Sequence, residues 1–204
     1  MTECPDEKGT RHYGGQWGGY GPVRDSETVI FAVFAKTKRS GDRLAADSFD
    51  NGRLRDENES IARLELTTRR AFTRKVVNKG EKTKGPIVGI ASVNVAALRQ
   101  LQGKDPSNVA SDAKRVICVL DCVERGDIQS HGTLGYAKWI EAIDNPQWGH
   151  KAKERNIGIF RSKIRLQLAE IFGQIKPIEH LRWARQRDVL VARVRSIRRV
   201  ASAR

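Results

Sequence analysis

The sequence predicts an α+β protein, a mixed β-sheet domain followed by a basic C-terminal helical hairpin. Three observations carry that expectation. Residues 28–35, 85–92 and 115–121 are short runs of apolar and β-branched side chains, as in strands buried on both faces. Residues 93–101, between the last two runs, have helical character. Beyond residue 150 the apolar positions recur at helical spacing instead. The chain divides accordingly into a flexible Gly- and aromatic-rich segment (1–27), an α+β domain (28–150) and a basic helical hairpin (151–204).

In residues 12–22, glycines alternate with Tyr13, Trp17 and Tyr20 and no periodicity appears, so the segment reads as loop. Its aromatics suit tucking against the domain better than stacking on bases, because no arginine lies among them. Residues 28–35 read as a central strand. The chain then turns through Ser40-Gly41-Asp42, and Asn51-Gly52 signals a second turn. Residues 60–66 alternate like a half-buried strand. Residues 68–77 suggest a short helix carrying Arg69, Arg70, Arg74 and Lys75, and 79–86 a basic, Gly-containing loop. The helix over 93–101 has Ser92 or Asn94 as its cap. With the strands on either side it makes a strand–helix–strand unit long enough for a parallel crossover. Residues 131–134 start another short element, and 139–148 carry no decisive pattern.

In 157–175, Ile157, Phe160, Ile164, Leu168, Ile171 and Ile175 mark one helical face, ended by Gly173 and Pro177. Pro177 suits the first turn of a second helix. On that helix Trp183, Leu190, Val194, Ile197 and Ala201 form an apolar stripe. Arg182, Arg185, Arg193, Arg195 and Arg199 lie off it.

The charge is uneven. The chain has 38 Lys+Arg against 24 Asp+Glu, a net of +14. Residues 151–204 alone hold 15 basic and 4 acidic residues, a net of +11. That asymmetry, rich in arginine, is the footprint of a polyanion partner. Arginine's planar fork suits phosphate. No run of about 18 apolar residues is present, so a transmembrane helix is not expected. The acidic start of the chain does not resemble a secretory signal. The cysteines (Cys4, Cys118 and Cys122) are odd in number and too few for a disulfide scaffold, which points to a reducing cytoplasm.

Familiar catalytic signatures are missing. Gly80-Glu81-Lys82-Thr83 lacks the upstream glycine of a phosphate-binding loop, and the glycines of 14–19 follow no strand. Cys118 and Cys122 stand four residues apart with only His131 nearby, so neither a metal nor a cofactor is expected. One constellation has chemical content: Asp121, Cys122, Asp127 and His131 follow the end of a buried strand, where open sheets bind ligands. There Asp121 or Asp127 could orient His131 as a general base, and Cys122 could serve as nucleophile. His131-Gly132-Thr133 matches half of the paired His-x-Thr signature of two-histidine phosphoesterases. The other half is missing, because His12, His150 and His180 have different neighbours. The expectation is therefore that His131 marks a pocket rather than a hydrolytic centre.

Residues 49–66, Gly89-Ile90-Ala91, Val119-Leu120-Asp121, Gly126-Asp127 and His131-Gly132-Thr133-Leu134-Gly135 resemble a group of small bacterial proteins of unknown function. The resemblance spans about residues 28–136. It implies a place among accessory and defence genes, and no activity.

The leading expectation is a nucleic-acid-binding accessory protein, a cytoplasmic subunit of a bacterial assembly with no reaction of its own. It would contact the phosphates of RNA or DNA through Arg69, Arg70, Arg74, Arg161, Lys163, Arg165, Arg182, Arg185, Arg193, Arg195 and Arg199. Other protein subunits are compatible partners, and a membrane is not. Two alternatives remain: a small hydrolase or phosphoesterase centred on His131, and a scaffold whose hairpin docks an acidic protein.

Overall fold

Every apolar run that the sequence marks as a strand enters one sheet. The computed structural model describes residues 4, 10–12, 20–106, 108, 110–123, 131–143 and 151–192. In chain order the strands are β1 (Thr10–His12), β2 (Thr28–Phe34), β3 (Arg39–Ser40), β4 (Arg43–Leu44), β5 (Glu59–Arg63), β6 (Ile87–Asn94), β7 (Gln102–Gly103), β8 (Lys114–Arg115), β9 (Ile117–Val123) and β10 (His131–Tyr136). The main sheet has the order β1-β9-β10-β5-β2-β6. Its last five members are antiparallel, and β1 adds to β9 in parallel. The fold is α+β. Strands β3–β4 and β7–β8 are separate two-residue hairpins.

β2 is interior, between β5 and the edge strand β6, as its two-sided apolar pattern requires. The expected parallel pair does not form. β6 and β9 run in the same direction, but β2, β5 and β10 lie between them. The helix α4 (Val95–Arg99) carries the chain across the sheet, with Val95 and Leu98 buried in the core. Asn94 caps it, its side chain accepting from the N–H of Ala96 at 2.9 Å.

Side-chain alternation gives the sheet two faces. The first presents Val29, Phe31, Val33, Ile61, Ala91, Val93, Ile117, Val119, Leu134 and Tyr136. It is covered by α1 (Asn51–Arg55), α4 and α6 (Lys151–Ile171). Phe49, Phe31 and Phe172 meet there, with ring centroids 5.2–6.1 Å apart. The second face presents Ile30, Ala62 and Ile90 to Phe72 and Val77. Phe72 ends α2 (Arg69–Phe72) and Val77 ends a π-helical turn (Thr73–Val77), which α3 (Asn78–Lys84) continues. The helix α5 (Lys138–Ile143) follows β10.

Three local expectations are corrected. Asn51-Gly52 lies inside α1, not in a turn, because the Asp50 carboxylate accepts the N–H of Arg53 at 2.8 Å and caps a helix there. Residues 79–84 are helical, since burying Phe72 and Val77 on the sheet carries the helix onward to Gly85. No helix starts at Pro177. α6 ends at Ile171, and Gly173 takes φ +64°, which turns the chain out of the helix. Lys176 then exchanges backbone hydrogen bonds with Ile90 on the outer edge of β6, at 2.8 and 2.9 Å. A Cβ on Gly89 would lie 2.7 Å from the Lys176 carbonyl oxygen, so only glycine admits this approach. A 3-10 turn (Ile178–His180) and an extended stretch follow, and helix resumes at residue 186. The α6 element thus belongs to the same core as the sheet, and the second helix begins at residue 186 rather than at Pro177, with a strap between the two.

Cys4 and Cys118 form a disulfide, a pairing that the odd cysteine count does not suggest. Disulfides are common in oxidising compartments and uncommon in a reducing cytoplasm. Among the described residues no helix is long and apolar enough to cross a membrane.

Candidate functional site

The expected constellation around His131 is divided by the sheet. In β10 His131 sits opposite Ala62, and its side chain belongs to the second face. Asp121 pairs with Gly132, one position on, and so points to the first face. Asp121 therefore does not orient His131. Its carboxylate holds Arg63, whose Nη1 donates to Oδ1 at 2.9 Å, while Oδ2 accepts the N–H of Gly21 at 2.9 Å. Arg63 also forks onto Glu27, with Nε to Oε2 at 2.6 Å and Nη2 to Oε1 at 2.7 Å, and donates to the Gly21 carbonyl at 2.8 Å. Arg63, Glu27 and Asp121 are all buried. Desolvation opposes the charge of Arg63, but the Glu27 hydrogen bonds and the charge of Asp121 outweigh it and hold the guanidinium above the ordinary arginine range. This network pins residues 20–27 to the sheet. Cys122 is buried and outside the disulfide. Asp127 lies outside the described residues.

His131 instead lines a cleft of about 360 Å³ in the second face. Its origin is a split in the sheet. β2 and β5 register only at Val29–Arg63 and Ile30–Ala62, whereas β2 keeps seven registered positions with β6. Past Ile30 the strands part, so that Phe31, Ala32 and Phe34 face Asn58, Glu59, Ser60 and Ile61 across the opening. Phe72, Val76, Gly80, Thr83 and Lys84 of the overlying helices form the wall. Ser60 is exposed although it lies in a strand interior to the sheet.

Charge gathers at one end of the cleft. The Arg53 guanidinium lies 4.0 Å from the Glu59 carboxylate, which also accepts the N–H of Asp50 at 3.1 Å. Burial pushes the Glu59 carboxyl up to about 7, although the Asp50 N–H and the charges of Arg53 and Lys84 pull the other way. Lys84 is lowered, first by burial and then by Arg53. Its Nζ lies 5.7 Å from the centre of the Phe34 ring.

The basic residues expected to meet phosphate fall on opposite sides of the sheet. Arg161, Lys163 and Arg165 belong to α6 on the first face. Arg161 is buried with its guanidinium 5.6 Å over the Tyr136 ring, which corrects its expected exposure to a polyanion. Arg165 pairs with Asp47 at 3.2 Å, and Lys163 is exposed. On the second face the strap packs Trp183 against Phe72 at 5.1 Å and draws residues 182–185 beside α2. Arg70, Arg74, Arg182 and Arg185 are exposed there, while Arg69 reaches Glu179 at 3.2 Å. Arg193, Arg195 and Arg199 lie outside the described residues. Among the described residues no cluster of His, Cys, Asp and Glu could hold a metal ion.

Sequence reasoning passed over Arg53, Glu59, Arg63 and Lys84. Arg63 had a signal, a lone charge between the apolar Ala62 and Leu64. Glu59 and Lys84 had none, since their meeting depends on strand pairing. No protein-family model, curated protein or solved structure matches this chain.

Proposed function

We propose that the protein binds nucleic acid, RNA or DNA, as an accessory subunit, through the basic surface of its second layer. The observation that carries this reading is the Phe72–Trp183 contact, which joins two basic segments more than a hundred residues apart. Residues 69–84 hold seven basic residues against one acidic. Arg182 and Arg185 extend that surface from the strap. Exposed arginines without a buried carboxylate partner suit phosphate contact, which supplies affinity with little reading of sequence. The described arginines of α6, two of them engaged within the protein, contribute less.

The test is binding of the full chain to a labelled duplex and a labelled single strand across a salt series. Changing Arg70, Arg74, Arg182 and Arg185 together to Gln should weaken binding. It should also reduce the slope of log K against log salt by about 3–4 on a duplex. An unchanged slope would overturn the reading in favour of an acidic protein partner.

A further inference from the structure

We infer that the cleft between β2 and β5 binds a small aromatic anion, its ring against the phenylalanines and its anionic group against Arg53 and Lys84. The cleft is of ligand size, since such sites span roughly 300–1,000 Å³. Its two ends differ in chemistry. Phe72, Ile30 and Val76 supply flat and aliphatic surface at one end, and the Phe34 ring bridges to Lys84. At the other end Arg53 and Lys84 share one lining carboxylate, that of Glu59. Asp50 does not line the cleft, and its carboxylate accepts the backbone N–H of Arg53 as a helix cap. The lining of that end therefore holds two cations against one carboxylate, and Arg53 adds to the lowering of Lys84 that burial begins. An anion there removes the repulsion, and an attached ring covers the apolar floor. Inorganic phosphate satisfies only the first requirement, and a neutral ring only the second. Ser60 and His131 border the floor, and the exposed Ser60 hydroxyl offers a hydrogen bond to a ring substituent.

This site is separate from the basic surface, because Arg70, Arg74, Arg182 and Arg185 do not line it. The experiment is calorimetric titration of the full chain with phenyl phosphate. Saturable one-to-one binding is expected, with phenol and inorganic phosphate each weaker by about tenfold or more. Arg53→Gln combined with Lys84→Gln should lose about tenfold or more in affinity. Both side chains reach solvent, so thermal melting should show the variant folded. Ala32→Leu, which fills the cleft without touching its charge, should lose binding equally. Phenyl phosphate should raise the melting temperature of the wild type and not of either variant. Benzoate and uridine monophosphate, run in parallel, separate a carboxylate source from a nucleotide source. Phenol binding as tightly as phenyl phosphate, wild-type affinity in the double variant, or no saturable binding would each overturn the inference. The four-arginine Gln variant should keep phenyl phosphate affinity, so loss of nucleic-acid binding and loss of the cleft ligand are distinguishable.

Discussion

The two faces of the sheet are built differently. Among the described residues the first face buries 22 hydrophobic side chains in one continuous cluster, with three phenylalanine rings at its centre. The second buries two smaller groups: six side chains supported by partly exposed Ala71, Val76, Ile178, Leu181 and Trp183 beside the cleft, and a separate four that include Cys4 and Cys118. Apolar area removed from water sets most of the stabilisation, at about 25 cal/mol per Å². The first face therefore holds the fold, and the second can carry a gap and exposed charge without unfolding it.

The contrast can be broken from either side. The largest losses should come from the first face. Phe172→Ala leaves a cavity between Phe31 and Phe49 and should cost about 3–5 kcal/mol in urea unfolding. Arg63→Met should cost about as much, because it leaves Glu27 and Asp121 buried without their cation. A loss below about 1 kcal/mol in either would mean that the first face is not the main source of stability.

Intermediate losses belong to the second face. The Cys4–Cys118 disulfide closes a loop of 114 residues. Cys4→Ser should cost about 2–4 kcal/mol under oxidising conditions and nothing in excess reductant. Trp183→Ala, at a half-buried contact, should cost about 1–2 kcal/mol and also weaken polynucleotide binding by releasing the strap. Equal stability loss from Trp183→Ala and Phe172→Ala would erase the distinction between the faces.

Glu59, at the parting of β2 and β5, should give an effect of opposite sign that depends on pH and vanishes in acid. Its folded pKa of about 7 exceeds the ordinary 4.5, so the folded state holds the proton more tightly. The stability this confers is complete below about pH 4.5 and is lost as pH rises to about 7. Glu59→Gln should flatten unfolding free energy across that window and stabilise the protein at pH 8 by up to about 3 kcal/mol. A profile as steep as that of the wild type would show that another group titrates.

Much of the secondary structure, and little of its assembly, was legible in the chain. The runs at 28–35, 85–92 and 115–121 announce β2, β6 and β9, because burial on both faces demands continuous apolar side chains. Asn94 announces the start of α4, and the spacing from Ile157 to Leu168 announces α6, because caps and amphipathic faces are local requirements. His131 was placed at a pocket by its position after a buried strand, and it does line the cleft. Its expected partner failed because adjacent ladder positions point to opposite faces, so Asp121 met Arg63, which lies 58 residues back in the chain.

The sequence by itself determined which segments are apolar enough to be buried, where helices begin and where positive charge is concentrated. Only the tertiary structure decided the strand order, the parting of β2 from β5 that opens the cleft, and the extended path after Pro177. That path follows from backbone bonds to Ile90 and from the seat of Trp183 on Phe72, both distant in sequence. Local patterns specify how much surface each segment must hide. The partner that hides it is set by competition among all such surfaces at once, and next to an available sheet edge the chain stays non-helical through residues 181–185 before helix resumes at 186.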